Sequence, residues 1–252
     1  MKLNFRKRNI ALKISYDGTN YNGFQRQNPP NIAVQNILEE RLAKIFDEEI
    51  SMIGSGRTDA GVHAIGQVVN FFTDGRIAVE KIPYAASGAL PPDIVVREAW
   101  EAPKDFSALH SAKSKIYIYK IQRGKILNPF LKNFAWHIRF DLDIELMQTA
   151  LKIIEGTHDF SAFKAASSTN MNPIRTIYAA EIFPESDEIL VVKIHAGGFL
   201  YHMARNIVAA VVEVGRHRLT LENFQKIFES GERKLFPATA PAHGLYLYKV
   251  FY

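Results

Sequence analysis

Residues 54–67 read GSGRTDAGVHAIGQ, in which Gly54, Gly56 and Gly61 surround one arginine and one carboxylate. Glycines this close together suggest a loop that cradles phosphate, but the spacing fails. A dinucleotide loop starting at Gly54 requires glycine at the position of Asp59, and a Walker loop from Gly56 through Gly61 requires lysine where Val62 stands. A carboxylate therefore sits where a phosphate would have to bind. Arg57, two residues earlier, favours the ionised form of Asp59, and an ionised aspartate is a usable nucleophile. The plainer reading is an aspartate bonding its own loop backbone beside a surface arginine.

Two further stretches carry chemistry. SKIYIYKI is a strand by composition, so Lys115, Tyr117, Tyr119 and Ile121 share one face. The two tyrosines are either core rings or a platform on which a base stacks with a phenol in reach. In GGFLYHMARNIVAAVVEVG the apolar positions from Phe199 to Val214 cover nearly the whole circumference of a helix, yet Arg205 lies inside it. A guanidinium there requires a carboxylate or a backbone acceptor. Glu213 is two turns away and neither His202 nor Asn206 is a counter-ion, so the sequence points to a distant carboxylate, with Asp59 a candidate. The histidines form no metal site: His195 and His202 lack the pairing of a helical zinc site, and no second cluster completes them.

These residues need elements to hold them. NIALKISYDG alternates as a half-buried strand and ends in an Asp-Gly turn signal, and Val34, Ile37, Leu38, Leu42, Ile45 and Phe46 recur at helical spacing. Strands are expected near 50–55 and 65–72, a helix near 79–88 and a strand at IVVREAW, with 102–114 as a connection. The second half repeats this alphabet: strand 115–122, helix 143–155, a hairpin pairing 176–183 with 189–195, helices 199–214 and 220–230, and a strand 244–251. Strands and helices alternate without a βαβ rhythm, which favours an α+β fold with a largely antiparallel central sheet, built from two similar halves flanked by helices. The boundary is expected near Lys104, giving an N-terminal subdomain 1–104 that carries the aspartate loop and a C-terminal subdomain 105–252 that carries the tyrosine strand and the arginine helix.

With 252 residues, 47% of them hydrophobic, the chain buries a sizeable core. It has no cysteine, which excludes thiolate chemistry and disulfides and makes reducing cytosol the simplest compartment. No segment reaches the ~20 apolar residues of a membrane-spanning helix, so a cytoplasmic protein is expected. The net charge of +5 is unevenly placed: between Asp105 and Asp141 there are seven Lys/Arg, seven aromatics and no acid. Two readings fit that window, a surface that neutralises phosphates and stacks on bases, or a solvated basic face over core aromatics.

GRTDAGVHA, YDGTNYNGFQRQ, KIYIYK, GTHDFSAF, FLYHMARNIV and ATAPAHGLYL, in this order over residues 15–248, together resemble the tRNA pseudouridine synthase A family. The resemblance implies an isomerase that converts uridine to pseudouridine at positions 38, 39 and 40 of the anticodon stem-loop of tRNA, by base flipping, without cofactor or metal, as a homodimer. It makes Asp59 the catalytic nucleophile, sets Tyr117 against the target base and pairs Arg205 with the aspartate. Arg57 then holds a phosphate or fills the space left by the base. Ala204 and Ala209 stand where many members carry valine and glycine, a change of helix packing only. The competing reading is a non-catalytic RNA-binding module, which accounts for the basic window but not for a carboxylate in the glycine loop. A nucleotide-binding enzyme is disfavoured by the failed phosphate spacing.

Overall fold

The computed structural model describes residues 8–165, 172–236 and 239–252. The basic opening 1–7 and Ala238, the first residue of ATAPAHGLYL, lie outside the described residues. The chain divides into two compact units, one running to Lys113 and including Leu247–Tyr252, the other Ser114–Tyr246. The sequence placed a boundary near Lys104, and hydrogen bonds show what holds residues 105–113 to the first unit. Asn9 Nδ2 donates to Pro103 O and Phe106 O, Ala108 N donates to Asn70 Oδ1 at 2.8 Å, and Lys113 N donates to Phe251 O at 2.8 Å.

The first unit contains β1 (Arg8–Tyr16), α1 (Val34–Phe46), β2 (Met52–Gly54), β3 (His63–Thr73), α2 (Ile82–Ser87) and β4 (Ile94–Ala102). β1 lies between β3 and β4 and is antiparallel to both, and β2 pairs antiparallel with β3. Alternate residues Ile10, Leu12 and Ile14 of β1 face one side in register with Phe71, Val69 and Gln67. α1 buries its apolar stripe against that side: Leu38 and Leu42 are fully buried and the Phe46 ring meets Phe71 edge-on at 5.4 Å. Each such side chain contributes about 1.5–3 kcal/mol by leaving water. The expected helix near 79–88 opens as a 3-10 turn, Val79–Lys81, before α2, whose first turn tolerates Pro83 because an N–H there has no helical partner.

The second unit contains β5 (Ser114–Arg123), β6 (Trp136–Ile138), α3 (Ile144–Ile153), β7 (Gly156–Asp159), β8 (Ile174–Pro184), β9 (Ile189–Ala196), α4 (Met203–Gly215) and α5 (Leu221–Ser230). The last strand, β10 (Leu245–Phe251), is shared between the units at Tyr246/Leu247. β5, β9, β8 and β7 are antiparallel neighbours in that order, and β6 adds to β5 in parallel. β6 and β7 were not expected from sequence, since three or four residues are too few to show a period. α3 and α5 are capped by Asp143 and Thr220, whose side-chain oxygens accept from Leu146 N and Asn223 N. α5 seats Phe224 and Phe228 on Phe163, which stacks on Phe236 at 4.6 Å. Both units are thus antiparallel strands covered by helices, the α+β class expected. No helix among the described residues is long and apolar enough to cross a membrane.

Candidate active site

Asp59 lies in the half-buried loop that joins β2 to β3, and neighbouring segments of the first unit fasten that loop one residue at a time. Ser55 N donates to Val68 O, and the fully buried Gln67 accepts from Ser55 Oγ at 2.6 Å while its Nε2 donates to Gly56 O at 2.8 Å. Thr58 bonds twice, its Oγ1 to the Tyr16 hydroxyl at 2.7 Å and its carbonyl to Phe24 N at 3.1 Å. Asp59 O accepts from Val62 N, and Gly18 N donates to Nδ1 of the buried His63 at 3.0 Å. Burial pushes the Tyr16 phenol well above its ordinary pKa, so it stays a neutral hydrogen-bonding group.

The YDGTNYNGFQRQ segment is what the loop leans on. Gly23 has φ +89° and packs so closely that a Cβ there would lie 2.6 Å from Thr58 O and 3.3 Å from Ala60 N. β2 is anchored in turn by Gln35 and the buried Glu39 of α1. Glu39 accepts from Met52 N at 2.9 Å and from Gln35 Nε2 at 2.8 Å, Gln35 Nε2 also donates to Met52 O, and Arg26 pairs with Glu39 at 3.1 Å. A buried polar set of this kind holds a strand in register, because any slip leaves several groups unsatisfied. Sequence reading missed it. Its only signal was two polar residues, Gln35 and Glu39, one turn apart on the apolar stripe of α1. Arg57 is exposed at the loop surface.

In the second unit, Tyr117 sits in β5 opposite Ile194 of β9, only 8% exposed, with the Phe199 ring edge-on at 4.8 Å. Tyr119 is a different kind of residue, which corrects the idea of a two-tyrosine stacking platform. It is 1% exposed, its hydroxyl donates to Pro241 O at 2.8 Å, and burial raises its phenol far above the ordinary range. Both rings are buried on one strand face, and Tyr119 is the one whose hydroxyl is committed to the fold. Lys115, on that face too, has its ammonium pushed below the usual value by burial.

α4 begins at Met203 rather than near 199, because His202 takes φ +62° and breaks the turn. Arg205 is half-buried, and its Nε donates to Ala240 O at 2.7 Å, the backbone acceptor that the sequence argument allowed. The next residue, Asn206, is 1% exposed and is the junction that sequence reading overlooked. Its Nδ2 donates to Phe163 O, and its Oδ1 accepts from Thr239 Oγ1 at 2.7 Å and Arg233 Nη2 at 3.0 Å. One amide thus fastens GTHDFSAF and ATAPAHGLYL to the arginine helix. Among the described residues no three His, Cys, Asp or Glu side chains cluster to hold a metal ion.

A family model described as tRNA pseudouridine synthase matches residues 13–109 and 150–252 of this chain. The chain belongs to that family. It is similar to tRNA pseudouridine synthase A of Thermoanaerobacter sp. (strain X514), 42% identical over 97% of this chain and the whole of that protein. The like-named proteins of Thermosipho melanesiensis and Thermotoga neapolitana are 43% and 40% identical over 96% and 97% of this chain. In the solved structure of an H/ACA RNP bound to a substrate RNA containing 2′-deoxyuridine, one chain resembles it at TM-score 0.38 and 11% identity, covering 83% of this chain and 54% of that one, too distant to carry weight. As a pseudouridine synthase the chain is an isomerase. Both segments that the family model matches include candidate residues, Arg57 and Asp59 in the first and Arg205 in the second, while Tyr117 falls between them.

Proposed function

We propose that this synthase converts uridine to pseudouridine at positions 38, 39 and 40 of the tRNA anticodon stem-loop, with Asp59 as nucleophile on a flipped-out base. The reaction breaks the C1′–N1 bond, turns the uracil, forms C1′–C5, releases the C5 proton and protonates N1. No electrons are gained or lost, so a carboxylate that engages and releases the substrate meets the chemical need. The observation that supports the reading most is the fixed loop around Asp59. Thr58 is bonded on both its side chain and its carbonyl, and Gly23 packs against the backbone on either side of the carboxylate. Holding a nucleophile this way lowers the cost of orienting it during reaction.

Tyr117 is the ring that abuts the target base, Arg57 binds a phosphate or takes the space the base vacates, and Arg205 is the cation that serves the carboxylate. Flipping costs a few kcal/mol of unstacking, offset by such contacts. The enzyme acts on tRNA as a homodimer in the cytoplasm. The test is a pseudouridine map of an unmodified tRNA with uridines in the anticodon arm, incubated with wild type or Asp59→Asn, beside a binding titration. Wild type is expected to form product at 38–40, and Asp59→Asn to bind tRNA yet form essentially none. Undiminished turnover in Asp59→Asn refutes the nucleophile, and no product from wild type on any such tRNA favours a binding module.

A further inference from the structure

Beside Tyr117 the second unit carries an open depression lined by Ile174, Arg175, Thr176, Tyr178, Gly197 and Gly198, none of which figures in the site above. The chain itself gives its place. Gly198 is joined directly to Phe199, whose ring meets Tyr117 at 4.8 Å, and Ala196 pairs with Lys115, two residues before Tyr117 on β5.

The depression is lined by groups whose capacity the fold leaves unused. Arg175 is aimed by its Nη1, which donates to Asn172 O at 3.0 Å and Ile174 O at 2.6 Å. Its Nε and Nη2 make no hydrogen bond, and no carboxylate pairs with it, among the described residues. Partial burial lowers its pKa, the cost of holding a cation away from water. Tyr178 is 55% exposed and its ring is backed at 5.1 Å by His195, whose Nε2 bonds Ser114 Oγ at 2.9 Å. Glycine keeps the floor clear: a Cβ on Gly197 would lie 3.1 Å from the Tyr178 hydroxyl oxygen, and one on Gly198 3.7 Å from Arg175 Nε. A fixed guanidinium without a counter-ion and a supported aromatic face side by side match the two ends of a nucleotide, phosphate and base.

We infer that this depression is a subsite for an unpaired nucleotide adjoining the target uridine, with its base on Tyr178 and its phosphate on Arg175. The inference rests on the RNA-modifying reading above and extends its site beyond the reacting base. The test titrates full-length protein with tRNA over a range of salt for wild type, Arg175→Gln, Tyr178→Ala and Tyr178→Phe, alongside pseudouridine formation at limiting and saturating tRNA. Tyr178→Ala should weaken binding on the order of tenfold, the scale of one stacked base, whereas Tyr178→Phe, which keeps the ring, should bind like wild type. Arg175→Gln should bind several-fold more weakly and flatten the slope of log K against log salt by about 0.7, one phosphate contact to a single strand. The losses should fall on KM more than on turnover at saturation. Unchanged binding in both Tyr178→Ala and Arg175→Gln overturns the subsite, as does a loss confined to kcat. A changed sedimentation coefficient of Tyr178→Ala without RNA also overturns it, marking the surface as a contact between copies. If wild type makes no pseudouridine but the binding differences stand, the catalytic reading fails and the subsite survives; if wild type makes product and the variants bind normally, the subsite alone fails.

Discussion

Tyr117 and Tyr119 lie two positions apart in one strand and are both buried, yet their side chains meet different neighbours. Tyr119 spends its hydroxyl on Pro241 O within the core, whereas Tyr117 lies against Phe199. Tyr117→Phe keeps the ring and removes the phenol, so tRNA affinity should hold while turnover falls, by about 10²–10⁴ if the hydroxyl moves a proton. Single-turnover rates at saturating tRNA read this directly, and a Tyr117→Phe enzyme as fast as wild type removes the phenol from the mechanism. For Arg205 the measurement is a double-mutant cycle on rate with Asp59→Glu and Arg205→Lys. If the cation serves the carboxylate, the two losses should be non-additive by about 0.5–3 kcal/mol, and simple additivity would separate the residues. Arg205→Leu should also cost stability, since Arg205 Nε no longer meets Ala240 O and the carbonyl loses a charge-assisted partner worth about 1.5–3 kcal/mol.

Among elements, the aspartate loop is held by the segment after β1 as well as by its own glycines. Gly23 and Gly124 both take positive φ, +89° and +113°, but a Cβ on Gly124 meets nothing within 4 Å, whereas one on Gly23 runs into Thr58 O. The pair separates backbone strain from contact. Gly124→Ala should cost only the strain of the turn, about 1–3 kcal/mol, with activity retained. Gly23→Ala should cost more in denaturant unfolding and also lower kcat, because the backbone around Asp59 must shift. Equal losses of stability and activity in the two variants would show that Gly23 matters only for its φ. The buried Gln35 and Glu39 act at the same scale, through β2, and the buried Asn206 does so in α4.

Across the whole molecule, the basic window between Asp105 and Asp141 and the later pair Arg216 and Arg218 separate into residues of different fate. Lys120 is occupied by Glu185 at 2.7 Å, and Arg216 by Glu213 at 2.8 Å. Lys125, Lys132, Arg139 and Arg218 make no ion pair among the described residues, and Phe130 is 86% exposed between the two lysines. Those four cations are the ones expected on RNA phosphates. tRNA affinity should fall steeply with salt, and Lys125→Gln with Lys132→Gln should reduce the log–log slope by about 1.4–1.8, two contacts' worth. Lys120→Gln should leave the slope unchanged, since that charge is already answered within the fold. A salt-independent affinity would remove the electrostatic surface from the account.

What the sequence determined by itself is local: α1 spans Val34–Phe46 as its apolar spacing requires, β8 and β9 pair as the hairpin pattern implies, and the motifs around Asp59 and Arg205 identify the family. Periodicity and spacing suffice there because neighbours in the chain set those features. The tertiary structure decided which of two equivalent-looking tyrosines gives its hydroxyl to Pro241 O, which lysine is neutralised, and that Gly23 packs against Thr58 O beside the aspartate. Each of those outcomes depends on a partner far along the chain, such as Pro241 for Tyr119 or Glu185 for Lys120, and strand alternation carries no record of what the fold will bring against a given face. Burial and hydrogen-bond satisfaction are properties of the assembled core, so they became legible only once that core was built.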